Sequence, residues 1–396
     1  MQDNIDTEKD SRAEIAALSH EVYRLTKKIQ DMEQKQLNDS MPDKFDPFDN
    51  PTEYKGFNTD YSRIQPRITE PGYELPLEPD YTERKNLRKY YNIGGGCLLF
   101  QFIGTVGLSM ILIRLIMSVL GYMHPGLASR ELYDYARGSS ILVTLNMLVY
   151  LMFNIFTAFL GMKLAKIKST SLIRTSDFGF GHAFQYCFIG LFIWTVSLYI
   201  TTGLSDVFSK YDIDILINSE GLAETILGKV MSNIYTSIIA PITEELLFRG
   251  MLLRVLSKGN QRFAIFASAF FFGLAHGNIP QFMLAFLIGI FLAHITMKHG
   301  SIIPSIIVHM FINTFSTVMG AVSEISTTVS IIMYFLLVIG AIFGAILFFV
   351  FCADDRLPQT TPKQTTRGVY IAVSSLPFVA AVVVNVAYGV YSLLSK

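Results

Sequence analysis

The stretch APITEELLFRG places three ionisable residues, Glu244, Glu245 and Arg249, in an otherwise apolar run that is long enough to form a membrane helix. A charged residue at the centre of such a helix costs roughly 2.5–3.5 kcal/mol, so it usually faces the protein interior and serves a function. Glu245 and Arg249 are spaced i, i+4 with the glutamate first, which favours an ion pair. Glu244 lies about 100° away around the helix. We interpret the pair as a structural brace and Glu244 as the candidate for chemistry.

Two further apolar runs carry polar residues that could complete a site with Glu244. AIFASAFFFGLAHGNIPQF has His276 at the end of its apolar part, and SIIPSIIVHMFINTFS carries His309 and Asn313 at i, i+4. At a rise of about 1.5 Å per residue, all four side chains fall in the middle third of a bilayer. A lone membrane histidine can simply hydrogen-bond a neighbouring helix, but polar groups on three helices at one depth favour a shared cavity.

These residue types suit the hydrolysis of an amide bond. Glu244 beside His276 could hold a water molecule and accept its proton. His309 and Asn313 could donate hydrogen bonds to the oxyanion that develops on a scissile carbonyl, typically worth about 10²–10³ in rate per donor. Glu244, His276 and His309 also make up the two-histidine, one-carboxylate ligand set of many catalytic zinc centres. The sequence therefore leaves the cofactor open between none and Zn²⁺.

The rest of the chain predicts the helices that hold these residues. Of its 396 residues, 51% are hydrophobic, and the formal net charge is +0. Runs of about twenty apolar residues can cross a bilayer as helices. Such runs lie at roughly 94–120, 139–164, 183–203, 230–256, 262–277, 281–298, 301–322, 327–352 and 368–395. The fifth and sixth are short and could be one broken element. We predict an all-α polytopic membrane protein with about eight to nine transmembrane helices in residues 93–396.

The charged residues and cysteines give further expectations. Most lysines and arginines at the ends of these runs fall on the side of the amino terminus, which predicts that this terminus is cytoplasmic. The first apolar run begins only near Ile93, so no signal peptide is expected. Cys97, Cys187 and Cys352 lie in separate runs without CxxC spacing, which predicts neither a disulfide framework nor a thiolate metal site.

The amino-terminal region predicts two segments outside the membrane. Residues 1–36 contain a heptad seam that favours a short parallel coiled coil, and therefore a homodimer through residues 14–36; the seam consists of Ile15, Leu18, Val22, Leu25, Ile29 and Met32. The alternative is an amphipathic helix that lies on the membrane or on another partner. Residues 37–92 are rich in proline and acidic residues, which predicts a flexible linker. No nucleic-acid partner is expected.

Three motifs in order resemble the CPBP intramembrane proteases, a family that contains the type II CAAX prenyl endopeptidases and bacterial proteins linked to bacteriocin processing and self-immunity. The motifs are Glu244-Glu245-x-x-x-Arg249, Phe272-x-x-x-His276 and His309-x-x-x-Asn313. One such motif alone is weak evidence, whereas three in order, each in its own apolar run, are specific. The resemblance covers about 230–320 and does not include the amino-terminal segments.

The resemblance implies a role for each motif residue. Glu244 activates water with His276 as its partner, His309 and Asn313 stabilise the transition state, and Glu245, Arg249 and Phe272 support the site. It also implies an intramembrane endopeptidase that acts on a peptide or a membrane-anchored substrate. We expect a bacterial plasma membrane because cysteine use is low and eukaryotic targeting signals are absent.

Two other functions compete with proteolysis. A non-catalytic membrane scaffold or immunity protein would bind its partner through the amino-terminal coiled coil. A transporter would also place ionisable groups at mid-membrane, but paired interrupted helices in repeat-related halves are not found. The complete motif set favours the endopeptidase.

Overall fold

The computed structural model describes residues 18–29, 32, 79–173, 178–215, 225–258, 260–354 and 369–394. Within these ranges the secondary structure is helical and contains no strand, which confirms the predicted all-α class. From residue 79 onward the main helices are α1 (Pro79–Met123), α2 (Ser129–Gly138), α3 (Ile141–Leu164), α4 (Phe180–Ser209), α5 (from Ile226 to Ser257), α6 (Gln261–Leu274), α7 (Ile279–His299), α8 (Ile303–Ile325), α9 (Thr327–Asp354) and α10 (Leu376–Leu394).

Seven of the described helices are long and apolar enough to cross a membrane. They are α1 over Leu87–Met123, α3, α4, α7, α8 over Ile303–Ser323, α9 over Thr327–Ala353, and α10. The prediction of about eight to nine spans also counted α5 and α6. The apolar helix α6 is only 14 residues long, which is short of the roughly 20 residues that a span needs. Helix α5 is long enough, but it is interrupted and carries the three charged residues.

Helix α5 is the centre around which the other helices pack. It alternates between α-helical segments, Ile226–Ile234, Ala240–Glu245 and Arg254–Ser257, and π-helical segments, Tyr235–Ile239 and Leu246–Leu253. Helices α1, α3, α6, α7 and α8 all contact it. Most apolar side chains in its carboxyl-terminal half are therefore fully buried in protein rather than facing lipid, among them Leu247, Met251, Leu252, Leu253, Val255 and Leu256. This position explains how a charged helix is tolerated, because membrane-embedded charges usually face the interior of the bundle.

The predicted break between the fifth and sixth apolar runs is a turn between two separate helices. Helix α6 ends at Leu274, and Asn278 caps α7 by accepting a hydrogen bond from the backbone N–H of Gln281 at 2.9 Å. Gly277 has φ of +65°, a left-handed conformation that glycine adopts without steric cost. The turn holds His276 at the carboxyl-terminal end of α6.

The first membrane helix begins inside the range predicted as linker. Helix α1 begins at Pro79, so residues 79–92, predicted as linker, extend the first membrane helix beyond its apolar part. The polar sequence that follows Pro79 contains no helix breaker, and proline itself is favourable at the first position of a helix. The remainder of the predicted linker, residues 37–78, lies outside the described residues.

The amino-terminal helix is seen in part. Residues 18–29 are helical, and the seam residues in the described part are between 49% and 62% exposed, namely Leu18, Val22, Leu25, Ile29 and Met32. Ile15 lies outside the described residues. An exposed apolar seam is what one strand of a coiled coil presents, but its pairing stays a prediction.

We expect the full-length protein in detergent to be a dimer that depends on this seam. Leu25→Asp should convert the dimer to a monomer because it places a charge at a buried d position. Lys27→Asp, which alters the opposite face of the same helix, should leave the dimer intact. Light scattering corrected for bound detergent measures the protein mass of each variant. A wild-type monomer over the whole accessible concentration range would contradict the prediction.

Candidate functional site

The second α-helical segment of α5, Ala240–Glu245, turns two adjacent glutamates in different directions. Glu245 is fully buried among the helices that surround α5, whereas the side chain of Glu244 is 24% exposed. Consecutive residues of a helix point about 100° apart, so only one of the two can face the interior fully. The two carboxylates therefore meet different surroundings and can serve different roles.

Glu245 and Arg249 form the ion pair expected from their spacing. Arg249 Nη1 donates to Glu245 Oε1 at 2.8 Å, and both side chains are fully buried. Arg249 Nη2 donates to the backbone carbonyl of Gly289 on α7 at 3.2 Å. The guanidinium also lies 4.3 Å from the centre of the Phe272 ring on α6. Buried charges need such partners to offset the cost of removing them from water, and here those partners join α5 to α6 and α7.

His309 on α8 bridges the two glutamates. Its Nδ1 lies 2.9 Å from Glu245 Oε1, within hydrogen-bond distance. Its Nε2 lies 3.7 Å from Glu244 Oε2, which is longer than a direct N–H···O hydrogen bond of about 2.7–3.2 Å. The buried pair therefore fixes the His309 ring, and Nε2 faces the partly exposed carboxylate across a gap.

The Phe272 ring packs against both histidines of the site. Its ring meets the His276 ring edge to face at 5.3 Å and the His309 ring at 5.4 Å between centroids. Phe248 packs against it at 5.2 Å, and the ring itself is 1% exposed. A rigid, buried ring of this kind limits the rotation of both imidazoles, so Phe272 acts on the site by packing.

The tautomer of His276 follows from its backbone contact. His276 Nδ1 lies 2.9 Å from the carbonyl oxygen of Phe272, four residues earlier in the chain. A carbonyl oxygen can only accept, so Nδ1 carries the hydrogen, and Nε2 of the neutral ring is an acceptor. His276 is half-buried, and its Nε2 is the acceptor nitrogen of a ring that packs against Phe272.

Asn313 contacts the irregular start of α5. Its Nδ2 donates to the backbone carbonyl of Thr236 at 2.9 Å. In a π-helix this carbonyl would accept from the N–H five residues later, but that residue is Pro241, which has none. Asn313 therefore satisfies a carbonyl that the helix leaves open, and the second hydrogen of its amide group stays available to another acceptor.

The structure thus gathers most of the predicted site residues into one cluster on α5, α6 and α8. The contacts not predicted from sequence include the Gly289 carbonyl that accepts from Arg249 and the Thr236 carbonyl that accepts from Asn313. The sequence reasoning paired Glu244 with His276 and gave His309 either to the oxyanion or to a zinc site, whereas His309 lies between both carboxylates. Pro241 signals that α5 leaves a backbone carbonyl open, but in a regular α-helix this would be the carbonyl of Ser237, so the sequence does not indicate the contact with Thr236.

The donor arrangement does not fit the zinc site that the sequence left open. Among the described residues, no three His, Cys, Asp or Glu side chains lie together as a group that could hold a metal ion. The predicted set Glu244, His276 and His309 is therefore not arranged as metal ligands.

Gly277 is expected to be required at the end of α6. A Cβ at this residue would lie 2.6 Å from the Tyr388 ring of α10 and would need a left-handed backbone, which costs roughly 1–2 kcal/mol for other residues. We expect Gly277→Ala to lower the unfolding free energy by at least about that amount. Gly107→Ala, at a glycine of α1 with nothing within 4 Å, is the matched control. Thermal unfolding in detergent compares the two, and equal midpoints would contradict the prediction.

A family model matches the part of the chain that contains this cluster. Residues 227–315 match the model of the family described as Type II CAAX prenyl endopeptidase Rce1-like. The curated protein named "Putative membrane peptidase YdiL", from Bacillus subtilis (strain 168), is 29% identical over 103 residues, which cover 26% of this chain and 42% of that protein. The chain therefore matches less than half the length of this relative. No solved structure matches.

Proposed function

We propose that this chain is an intramembrane protease of the CPBP family, which the family match over residues 227–315 and the similar membrane peptidase support, and that it hydrolyses a peptide bond in a peptide or membrane-anchored substrate. The observation that carries the proposal is the difference between two adjacent carboxylates. Glu245 is buried and neutralised by Arg249 and His309, while Glu244 is partly exposed and faces His309 Nε2 across a 3.7 Å gap. A carboxylate that makes no close ion pair can accept a proton.

Water activation is assigned to Glu244 and His276. Glu244 accepts a proton from a bound water molecule as the water oxygen forms a bond to the scissile carbonyl carbon. The acceptor nitrogen Nε2 of His276 holds the second hydrogen of that water. The Nδ1 contact with the Phe272 carbonyl keeps this tautomer in place.

Stabilisation of the oxyanion is assigned to His309 and Asn313. In the reactive form both ring nitrogens of His309 carry hydrogen: Nδ1–H donates to Glu245, and Nε2–H donates to the developing oxyanion. Asn313 donates its second amide hydrogen, since the first is engaged by Thr236. Such donors are effective because they are held before the reaction begins. The C–N bond then breaks, and the proton held by Glu244 passes to the leaving amine.

No step in this mechanism passes through a metal ion. We therefore expect 1,10-phenanthroline to leave the cleavage rate of the purified protein within about twofold of the untreated rate, since the proposed mechanism uses Glu244 and His276 as acceptors for the attacking water rather than as ligands of a catalytic zinc ion. The comparison uses the non-chelating isomer 1,7-phenanthroline at the same concentration. A loss of activity with the 1,10 isomer alone that is restored by added Zn²⁺ would contradict this assignment.

The membrane setting forms part of the proposal. The chain is an integral, multi-pass membrane protein by its apolar helices. We place it in a bacterial plasma membrane with the amino terminus in the cytoplasm, which is supported by the bias of basic residues and by the relative from Bacillus subtilis.

The proposal is tested by comparing peptide termini in membranes of cells that produce the wild type or Glu244→Gln at matched levels. A precursor that accumulates with Glu244→Gln and is shortened with the wild type supports proteolysis and identifies the substrate. Asp206→Asn, which removes an exposed carboxylate at the end of α4, is the control and should match the wild type. Identical termini in all three membranes would contradict the proposal.

A further inference from the structure

A groove of about 780 Å³ opens between α1 and α3, toward the amino-terminal end of α1. Lys85, Arg88, Lys89 and Asn92 line its outer part, and their side chains are exposed. No acidic side chain is among the described residues that line it. The outer part of the groove can therefore hold an anionic group.

The inner part of the groove is apolar. Ile93, Gly96 and Phe100 continue the same face of α1, and Leu160 and Leu164 of α3 form the opposite wall. At a rise of about 1.5 Å per residue, the face from Lys85 to Phe100 extends over about 22 Å. The groove thus combines a cationic opening with an apolar slot that runs into the predicted membrane region, and its volume is in the range of specific ligand sites.

The triple glycine of α1 shows that the slot is not filled by packing. A Cβ at Gly94 would lie 3.2 Å from the Leu252 side chain of α5, and a Cβ at Gly95 would lie 2.4 Å from the Phe378 backbone of α10. These two glycines allow close helix packing. Gly96 has nothing within 4 Å of its Cβ position, so helix packing does not explain it, and its missing side chain leaves the slot open.

We propose that this groove binds one anionic phospholipid of the leaflet at the amino-terminal end of α1. The phosphate contacts Lys85, Arg88 and Lys89, and one acyl chain lies along Gly96 and the apolar wall of α3. Basic pockets between membrane helices attract anionic headgroups, and each cation near the membrane surface adds to the attraction. The apolar slot distinguishes this ligand from a soluble anion, which would need only the cationic opening. The proposal does not depend on the proposed peptidase activity.

Native mass spectrometry of the full-length protein in detergent tests the proposal, with dioleoyl-phosphatidylglycerol and dioleoyl-phosphatidylcholine as matched probes. The wild type should bind the anionic lipid more tightly. Replacing Lys85, Arg88 and Lys89 together by Gln should weaken its binding by about 100-fold, or about fivefold per charge. Lys168→Gln removes an exposed charge that does not line the groove and should leave binding unchanged.

A second pair of variants tests the apolar slot. Gly96→Leu places a side chain in the slot at a residue whose Cβ position has nothing within 4 Å, and it should weaken binding of the anionic lipid about tenfold. Gly107→Leu places the same side chain in open space elsewhere on α1 and should have no effect. Equal binding of the two lipids, or binding of neither, would overturn the proposal. Binding that depends on the three charges but not on Gly96 would also overturn it, because it would indicate a site for the anion alone.

Discussion

Glu244→Gln is expected to lower the rate of peptide-bond hydrolysis by about 10²–10⁴-fold. The amide has the shape of the carboxylate but cannot accept the proton of the attacking water. Because Glu244 is partly exposed and its nearest charged neighbour, His309, is 3.7 Å away, its loss should leave the fold nearly unchanged. The rate is measured with purified protein and the substrate identified from the membrane comparison.

The control for this prediction separates catalysis from folding. Glu244→Gln and Asp206→Asn should share the thermal midpoint of the wild type, while only Glu244→Gln loses activity. A Glu244→Gln variant that folds normally and retains more than about a tenth of the wild-type rate is incompatible with a general-base role.

Arg249→Met is expected to destabilise the protein by about 3–5 kcal/mol, because it leaves the Glu245 carboxylate buried without its cation. It also removes the contacts of Arg249 with the Gly289 carbonyl and the Phe272 ring. We expect the thermal midpoint in detergent to fall by more than about 5 °C. A thiol-reactive dye can follow unfolding through the buried Cys97 and the partly buried Cys187, with the exposed Cys352 as the baseline.

A double variant tests whether the buried charge is the cause. Glu245→Gln together with Arg249→Met removes both charges and should be more stable than Arg249→Met alone. If the loss of unfolding free energy in the double variant equals the sum of the losses in the two single variants, the two charges do not stabilise each other. If Arg249→Met unfolds within about 1 °C of the wild type, the pair does not stabilise the site, contrary to a cost of several kcal/mol.

Features that repeat along one helix could be predicted from sequence. The apolar runs predicted the seven spans that the structure contains, and the i, i+4 spacing of Glu245 and Arg249 predicted their ion pair. The Gly-Asn-Ile-Pro segment predicted the turn between α6 and α7. These features depend on local geometry, so the order of residue types is enough to indicate them.

Features that depend on the lateral packing of different helices could not be predicted from sequence. Depth along the helices gave no reason to place His309 between the two glutamates, where its contact with Glu245 and its packing against Phe272 hold it. The contact of Asn313 with Thr236 depends on a π-helical segment, which no residue pattern indicated. Helix α5 also did not stand out as the central helix, since its apolar content is like that of a helix facing lipid.

Hydrolysis in water enriched with ¹⁸O tests the central claim most directly. The purified wild type is incubated in detergent with the precursor that accumulates in Glu244→Gln membranes, and the products are weighed by mass spectrometry. The account predicts one ¹⁸O atom in the new carboxyl terminus of the amino-terminal product cut by the wild type, and at least about 100-fold less of this product with Glu244→Gln. Cleavage at the same bond by Glu244→Gln at the wild-type rate, or an intact precursor with the wild type, would contradict it.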